Sequence, residues 1–134
     1  MHQLKHNKMK SERGQTMTEF ALVLPILVVL MLGIVQFGVA FNNYVTLTDA
    51  VRAGARKAAV SRQTSDPAGA CRAAVVAARG SLDQAKLETN LSCTSSWGAG
   101  TEVTVHADYP FEIKLLDWSV HSGLLSSTMK ERVE

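Results

Sequence analysis

The chain has 134 residues and a formal net charge of +2, enough for one small domain and too balanced to argue for nucleic acid or another polyanion as partner. Two cysteines, Cys71 and Cys93, stand far apart with no histidine near either, which argues against a structural metal site.

The first stretch is basic. Lys5, Lys8, Lys10 and Arg13 face a single acid, Glu12. His2 and His6 are four apart, but a short leader is a poor place for a metal. From Phe20 to Phe41 follow 22 residues, of which only Gln36 is strongly polar. At 1.5 Å per helical residue that run spans roughly 33 Å, enough to cross a bilayer. Basic residues before such a run stay on the cytoplasmic side. Arg52, Arg56 and Lys57 after it are more distant and follow Asp49, so the N-terminus is expected inside and the C-terminus outside. Pro25 removes one backbone hydrogen bond within the span and should kink or loosen it. Gly33 and Gly38 are five apart and do not make the four-spaced dimer motif. A secretory signal ending at Gly38-Val39-Ala40 is the competing reading. The apolar run is about twice as long as a signal core, and no polar turn precedes Ala40.

One residue breaks the membrane logic. Glu19 stands immediately before Phe20, where a carboxylate is costly and needs a partner. Five positions earlier lies Gly14, preceded by Arg13. Glu19 can also be read as an acid favoured by a helix N-terminus, with Thr16 or Thr18 as caps.

The helix is expected to continue past Asn42-Asn43. Leu47, Val51, Ala55 and Ala59 form one row and Ala50, Gly54 and Ala58 a second, all small; spacing of four puts each row on one face. Asp49, Arg52, Arg56 and Lys57 take the wetter side. Ser65-Asp66-Pro67 is a helix start, a cap followed by proline in the first turn. That second helix carries Cys71 and ends at Gly80. Residues 81–90 leave the choice open, with a short helix around Asp83–Glu88 as one option.

From Leu91 the period changes to two. Val103, Val105, Ala107 and Tyr109 alternate with Glu102, Thr104, His106 and Asp108, the pattern of a half-buried antiparallel strand. Trp97-Gly98-Ala99-Gly100 turns into it from a weaker strand near Leu91–Ser95. Phe111, Ile113 and Leu115 continue the alternation past Pro110, which asks for a bend or an edge. Residues 125–134 fit a last strand better than a helix. The fold class is therefore α+β: a long N-terminal transmembrane and stalk helix, then a small head with a second helix and an antiparallel sheet. The expected division is a leader at 1–14, a helix at 15–62 with its membrane part near 20–41, and an exported head at 63–134. In an exported head Cys71 and Cys93 form a natural disulfide, worth about 3 kcal/mol for a loop of this length. Two unpaired buried thiols are the alternative.

No catalytic constellation emerges. His106 falls on the polar face of a strand and is expected to be solvated. His121 falls in a short loop beside Ser119 and Ser122, with Asp117 too near in sequence to orient it. Gly98-Ala99-Gly100 is a hairpin signal rather than a nucleotide loop. No cofactor is implied.

The string Arg13-Gly14-Gln15-Thr16-Met17-Thr18-Glu19-Phe20 resembles the type IV prepilin cleavage motif. There a membrane aspartic protease cuts after the glycine of a short basic leader, and the fifth mature residue is glutamate. Counted from Gln15, the fifth residue is Glu19, and Phe20 follows where tight-adherence (Flp) pilins prefer an aromatic. Cleavage frees an α-amino group at Gln15. In a packed bundle the carboxylate of one subunit can meet the amine of its neighbour, each offsetting the other's desolvation. An N-terminal Gln15 can cyclise and lose its charge, which methylation of the amine would hinder.

Together the segments resemble the TadE-like family of minor pilins (pseudopilins) of tight-adherence pilus systems. The strings that carry the likeness are Glu19-Phe20-Ala21-Leu22-Val23-Leu24-Pro25, Arg52-Ala53-Gly54-Ala55-Arg56, Val103-Thr104-Val105, Tyr109-Pro110-Phe111 and Glu131-Arg132-Val133-Glu134. The resemblance implies processing by a prepilin peptidase, with Gly14 and Gln15 at the cut and Glu19, Phe20 and Pro25 in recognition or assembly. It implies other pilin or pseudopilin subunits, the inner-membrane assembly machinery and the lipid bilayer as partners. The subunit would be single-pass in the cell membrane and able to enter a pilus. Two rival readings stand beside it: a membrane accessory protein that keeps its leader, and a secreted binding domain or small enzyme behind a signal peptide.

Overall fold

The computed structural model describes residues 4–115 and 118–134, and the side chains of 14–114 and 118–134. Lys5, Lys8, Lys10, Glu12, Arg13 and His6 therefore have no described side chain, and His2 and Asp117 lie outside the described residues. The elements are α1 (Leu4–Ala59), α2 (Pro67–Ala77), α3 (Gln84–Thr89), β1 (Leu91–Thr94), β2 (Glu102–Leu115) and β3 (Trp118–Arg132). Two compact units emerge, Met1–Gln36 and Phe37–Glu134.

The first unit is helix. Most of its described apolar side chains lie open: Leu22, Ile26, Leu27, Met31 and Ile34 are all exposed. The helix runs on through Pro25, as a proline expected to kink or loosen a span without ending it allows. Glycine adds no bulk at Gly14 or Gly33, and a Cβ at either would meet nothing within 4 Å.

The second unit has a core of its own. Leu47, Val51, Val75, Leu87, Val103, Val105 and Val133 are fully buried. Both rows expected on α1, the apolar one and the small one, are drawn into it, since Ala50, Gly54, Ala55 and Ala58 are buried and Ala59 half-buried. Asp49, Arg52, Arg56 and Lys57 stay exposed as expected. The reason for smallness is plain at Gly54. A Cβ there would stand 2.2 Å from Val75 Cγ2 and 3.3 Å from the Cys71 carbonyl oxygen of α2. Only a bare backbone lets the two helices approach so closely.

Local chemistry sets the element ends. Asp66 Oδ1 accepts from Gly69 N at 2.8 Å with Pro67 opening α2, and Asp83 Oδ1 accepts from Lys86 N at 3.1 Å to start α3. Past the C-cap of α2 at Ala78, Gly80 takes φ +56°. A disulfide joins Cys71 on α2 to Cys93 on β1, with Cα atoms 6.4 Å apart, so the unpaired-thiol alternative is excluded.

The sheet is antiparallel in the order β1-β2-β3. The face expected to be buried is buried: Val103, Val105, Ala107 and Tyr109 point to the core. The Tyr109 hydroxyl accepts from Asp83 N at 3.2 Å, which satisfies it. β1 pairs only with residues 104–107, and the last bond on that side runs from Asp108 N to the Asn90 carbonyl. Pro110, two residues on, points its missing N–H to the same side, where β1 has ended. It therefore costs no ladder bond, and the edge position expected for it is met. The C-terminal stretch is strand, and it starts earlier than the expected 125, at Trp118. His121 is consequently not in a loop. It lies on β3 and pairs with Ile113 of β2, and its ring lies 6.2 Å from that of Phe111.

Candidate functional site

The residues singled out at the start of the apolar run occupy adjacent turns of α1. Thr18 Oγ1 donates to the Gly14 carbonyl at 2.9 Å. Gln15 Nε2 donates to Glu19 Oε1 at 3.3 Å, one turn apart on the same face. Gly14, Gln15, Glu19 and Phe20 are all exposed, and Pro25 lies two turns further on beside Ile26 and Val29. The segment is thus presented rather than packed.

Helix α1 begins at Leu4, ten residues before Gly14. In the uncut chain Glu19 is therefore interior to a helix. Thr18 turns its hydroxyl back to a carbonyl instead of capping a free N–H. Glu19 is also the sole formally charged side chain between Gly14 and Thr48. One turn back, the Gln15 amide satisfies one oxygen without neutralising it. Chemically the arrangement offers an anion at the threshold of an apolar helix, open to a cation from outside the chain.

Gly14 is one of the less stable positions of the same helix. Glycine in a helix interior costs about 1 kcal/mol relative to alanine, and open space surrounds it. A protease that needs an extended substrate would find this turn easier to unwind than its neighbours.

The second unit holds a polar cluster that alternation alone does not reveal. On the outer sheet face, His106 Nδ1 lies 2.8 Å from Thr128 Oγ1, and His106 Nε2 lies 3.3 Å from Asp108 Oδ2. Ser126 Oγ donates to Asp108 Oδ1. The bond from Ser126, more than the nearby imidazole, holds the Asp108 carboxyl below the usual aspartate range, against a smaller desolvation effect. His106 is thus half-buried and partnered rather than merely solvated, a correction that follows from register: Thr128 pairs with His106 and Ser126 with Asp108. A histidine between an acid and a hydroxyl has the composition of a catalytic triad. These groups lie along the open face of the sheet, and the cross-strand spacing alone accounts for their contacts. Among the described residues, no three His, Cys, Asp or Glu side chains come together to hold a metal.

Among the described residues, one helix is long and apolar enough to cross a membrane, and its apolar window is not buried. A family model described as TadE-like protein matches residues 14–56. The match contains the Glu19–Pro25 and Arg52–Arg56 strings; the strings of the head lie outside it. No curated protein and no solved structure matches the chain.

Proposed function

From a segment at residues 14–56 that is TadE-like, joined to a single apolar membrane-anchor helix, we propose that this protein is a minor pilin or pseudopilin of a tight-adherence (Flp-type) pilus system. A prepilin peptidase cuts it between Gly14 and Gln15. The head lies outside the cytoplasm, and the N-terminal helix packs among those of other pilin or pseudopilin subunits as the assembly machinery draws it from the bilayer.

The observation that carries this reading is the placement of Glu19. It is an exposed carboxylate one turn from Gln15, at the mouth of an uncovered apolar helix. A free amine at Gln15 of a neighbouring subunit would meet it with opposite charge. In lipid or in a bundle interior that pairing stabilises the register, because each charge alone would be costly to bury. Phe20 and Pro25 lie beside it, on the first turns such a bundle would cover.

A second reading has one observation in its favour. α1 is unbroken from Leu4 across Gly14, as it would be in an anchor that keeps its leader. The N-terminal residue of the protein recovered from membranes separates the two: Gln15 supports processing, Met1 or His2 supports the retained leader, and Phe41 would indicate a signal peptide instead. Gly14→Leu should leave a longer, uncut chain. A side chain at Gly14 meets nothing in the fold, so loss of cutting would report recognition and not misfolding. Glu19→Ala should still be cut yet enter filaments poorly; normal incorporation would refute the charge pairing.

A further inference from the structure

Gln36 is the one strongly polar residue of the apolar run from Phe20 to Phe41. Neither cleavage at Gly14 nor pairing at Glu19 involves it. Among the described residues, none bonds to its side-chain amide. The polar groups nearer the mouth of the helix are satisfied close by, Thr18 by the Gly14 carbonyl and the Gln15 amide by Glu19. A carboxamide carries two N–H donors and an acceptor oxygen. Inside a bilayer each unpaired group costs free energy until a partner is found, so polar side chains there hold helices together.

The position of Gln36 on the helix indicates where its partner lies. Leu22, Val29 and Gln36 are spaced by seven, and Pro25 and Leu32 fall three residues after the first two. Alternate steps of three and four residues trace one continuous seam along a helix, the geometry of a parallel helix pair. All five positions lie in the first unit. Leu22 is 70% and Val29 52% exposed, Pro25 is exposed, and Leu32 and Gln36 are half-buried. Beside the seam at Gly33 a Cβ would meet nothing within 4 Å, so a second backbone can come close near the level of Gln36.

We propose that the anchor helix pairs in the bilayer with that of a second copy of this chain, parallel and in register, through a hydrogen bond between the two Gln36 amides. The occupant is a second copy for two reasons. A carboxamide is self-complementary, since the N–H of each can meet the carbonyl oxygen of the other. Copies of a single-pass protein also share one orientation, so equal positions come to equal depth and Gln36 meets Gln36. A lone polar residue at one seam position fixes register as well, because a slip would leave both amides among apolar side chains. The inference rests on α1 as a membrane anchor and is independent of cleavage at Gly14.

The experiment uses the full chain in phosphatidylcholine–phosphatidylglycerol vesicles and in detergent micelles. Both native cysteines are joined to each other in the head, so a single cysteine added on α1 reports contacts there. On mild oxidation in vesicles, Leu32→Cys on the seam should give covalent dimers, and Ile34→Cys, on the opposite side of the helix, should give few. Sedimentation equilibrium in micelles should find wild-type dimers. Their dissociation constant should rise roughly three- to thirtyfold in Gln36→Leu and return most of the way in Gln36→Asn, which keeps the amide. Gln36→Leu leaves the run apolar and lies outside the buried core of the head, so weaker association would report the lost amide. Association of Gln36→Leu at wild-type strength, or equal crosslinking at Leu32→Cys and Ile34→Cys, would overturn the proposal. Leu32→Cys that crosslinks in cell membranes only to a different chain would also sink it, in favour of another subunit's helix. A chain that does not float with vesicles would remove the anchor itself, a result distinct from a chain that floats and stays monomeric, which removes the pairing alone.

Discussion

Gly33 and Gly54 are the same residue on the same helix, yet an added methyl group would meet opposite surroundings. At Gly33 it meets nothing within 4 Å; at Gly54 it collides with Val75. The contrast extends to whole units. Up to Gln36 the apolar side chains face outward and no other part of the chain covers them. From Phe37 onward the chain closes its own core through Leu47, Val75, Leu87 and Val105. Burial is the main favourable term in both cases. In the second unit the chain supplies the cover; in the first the described residues do not, as suits a helix that crosses a membrane.

The contrast can be broken most severely at leucine. Leu47 is 0% exposed and Leu27 is 55% exposed. Leu47→Ala should destabilise the head by about 2–5 kcal/mol in urea unfolding, whereas Leu27→Ala should leave the head's midpoint where it was. An equal effect of the two would show that the helix shares one core with the head. Next in size is the crosslink. Cys71→Ser with Cys93→Ser should cost about 3 kcal/mol for a loop of 22 residues, and thiol titration of the unfolded wild type without reductant should find no free sulfur. Gly54→Ala should cost about 1–3 kcal/mol, since Val75 must move to admit the methyl group. Gly33→Ala in detergent should be neutral or slightly helix-stabilising, within about 1 kcal/mol.

The smallest effect sharpens the reading of the outer sheet face. Asp108 is held below the usual aspartate range chiefly by Ser126. A folded-state value that is lowered contributes stability above the unfolded value and loses it as pH falls through the folded one. Ser126→Ala should therefore unfold slightly more easily at neutral pH, and the difference from wild type should fade on acidification below the ordinary carboxylate range. A difference that grows on acidification would assign the cluster to another group.

Much of this was legible from local pattern. The 22-residue apolar run, the Asp66-Pro67 start and the alternation of Val103 to Tyr109 each report a preference that acts within a few residues. The string from Gly14 to Phe20 is likewise continuous in sequence, which is why a family match at residues 14–56 can include it. The polar cluster of His106, Asp108, Ser126 and Thr128 was not legible, and neither was the strand position of His121. The first depends on pairings between residues 18 and 22 apart and the second on the cross-strand pairing of Ile113 with His121, and a shift of one residue would turn every side chain to the other face.

The order of residues alone determined the anchor, the acid at its threshold, the helix starts and the strand that faces the core, because periodicity, capping and hydropathy are short-range. Tertiary structure decided which cysteine state holds and which small residue admits a neighbouring helix. Those outcomes follow from distances across the chain, set when the hairpin register and the approach of α2 to α1 are settled together.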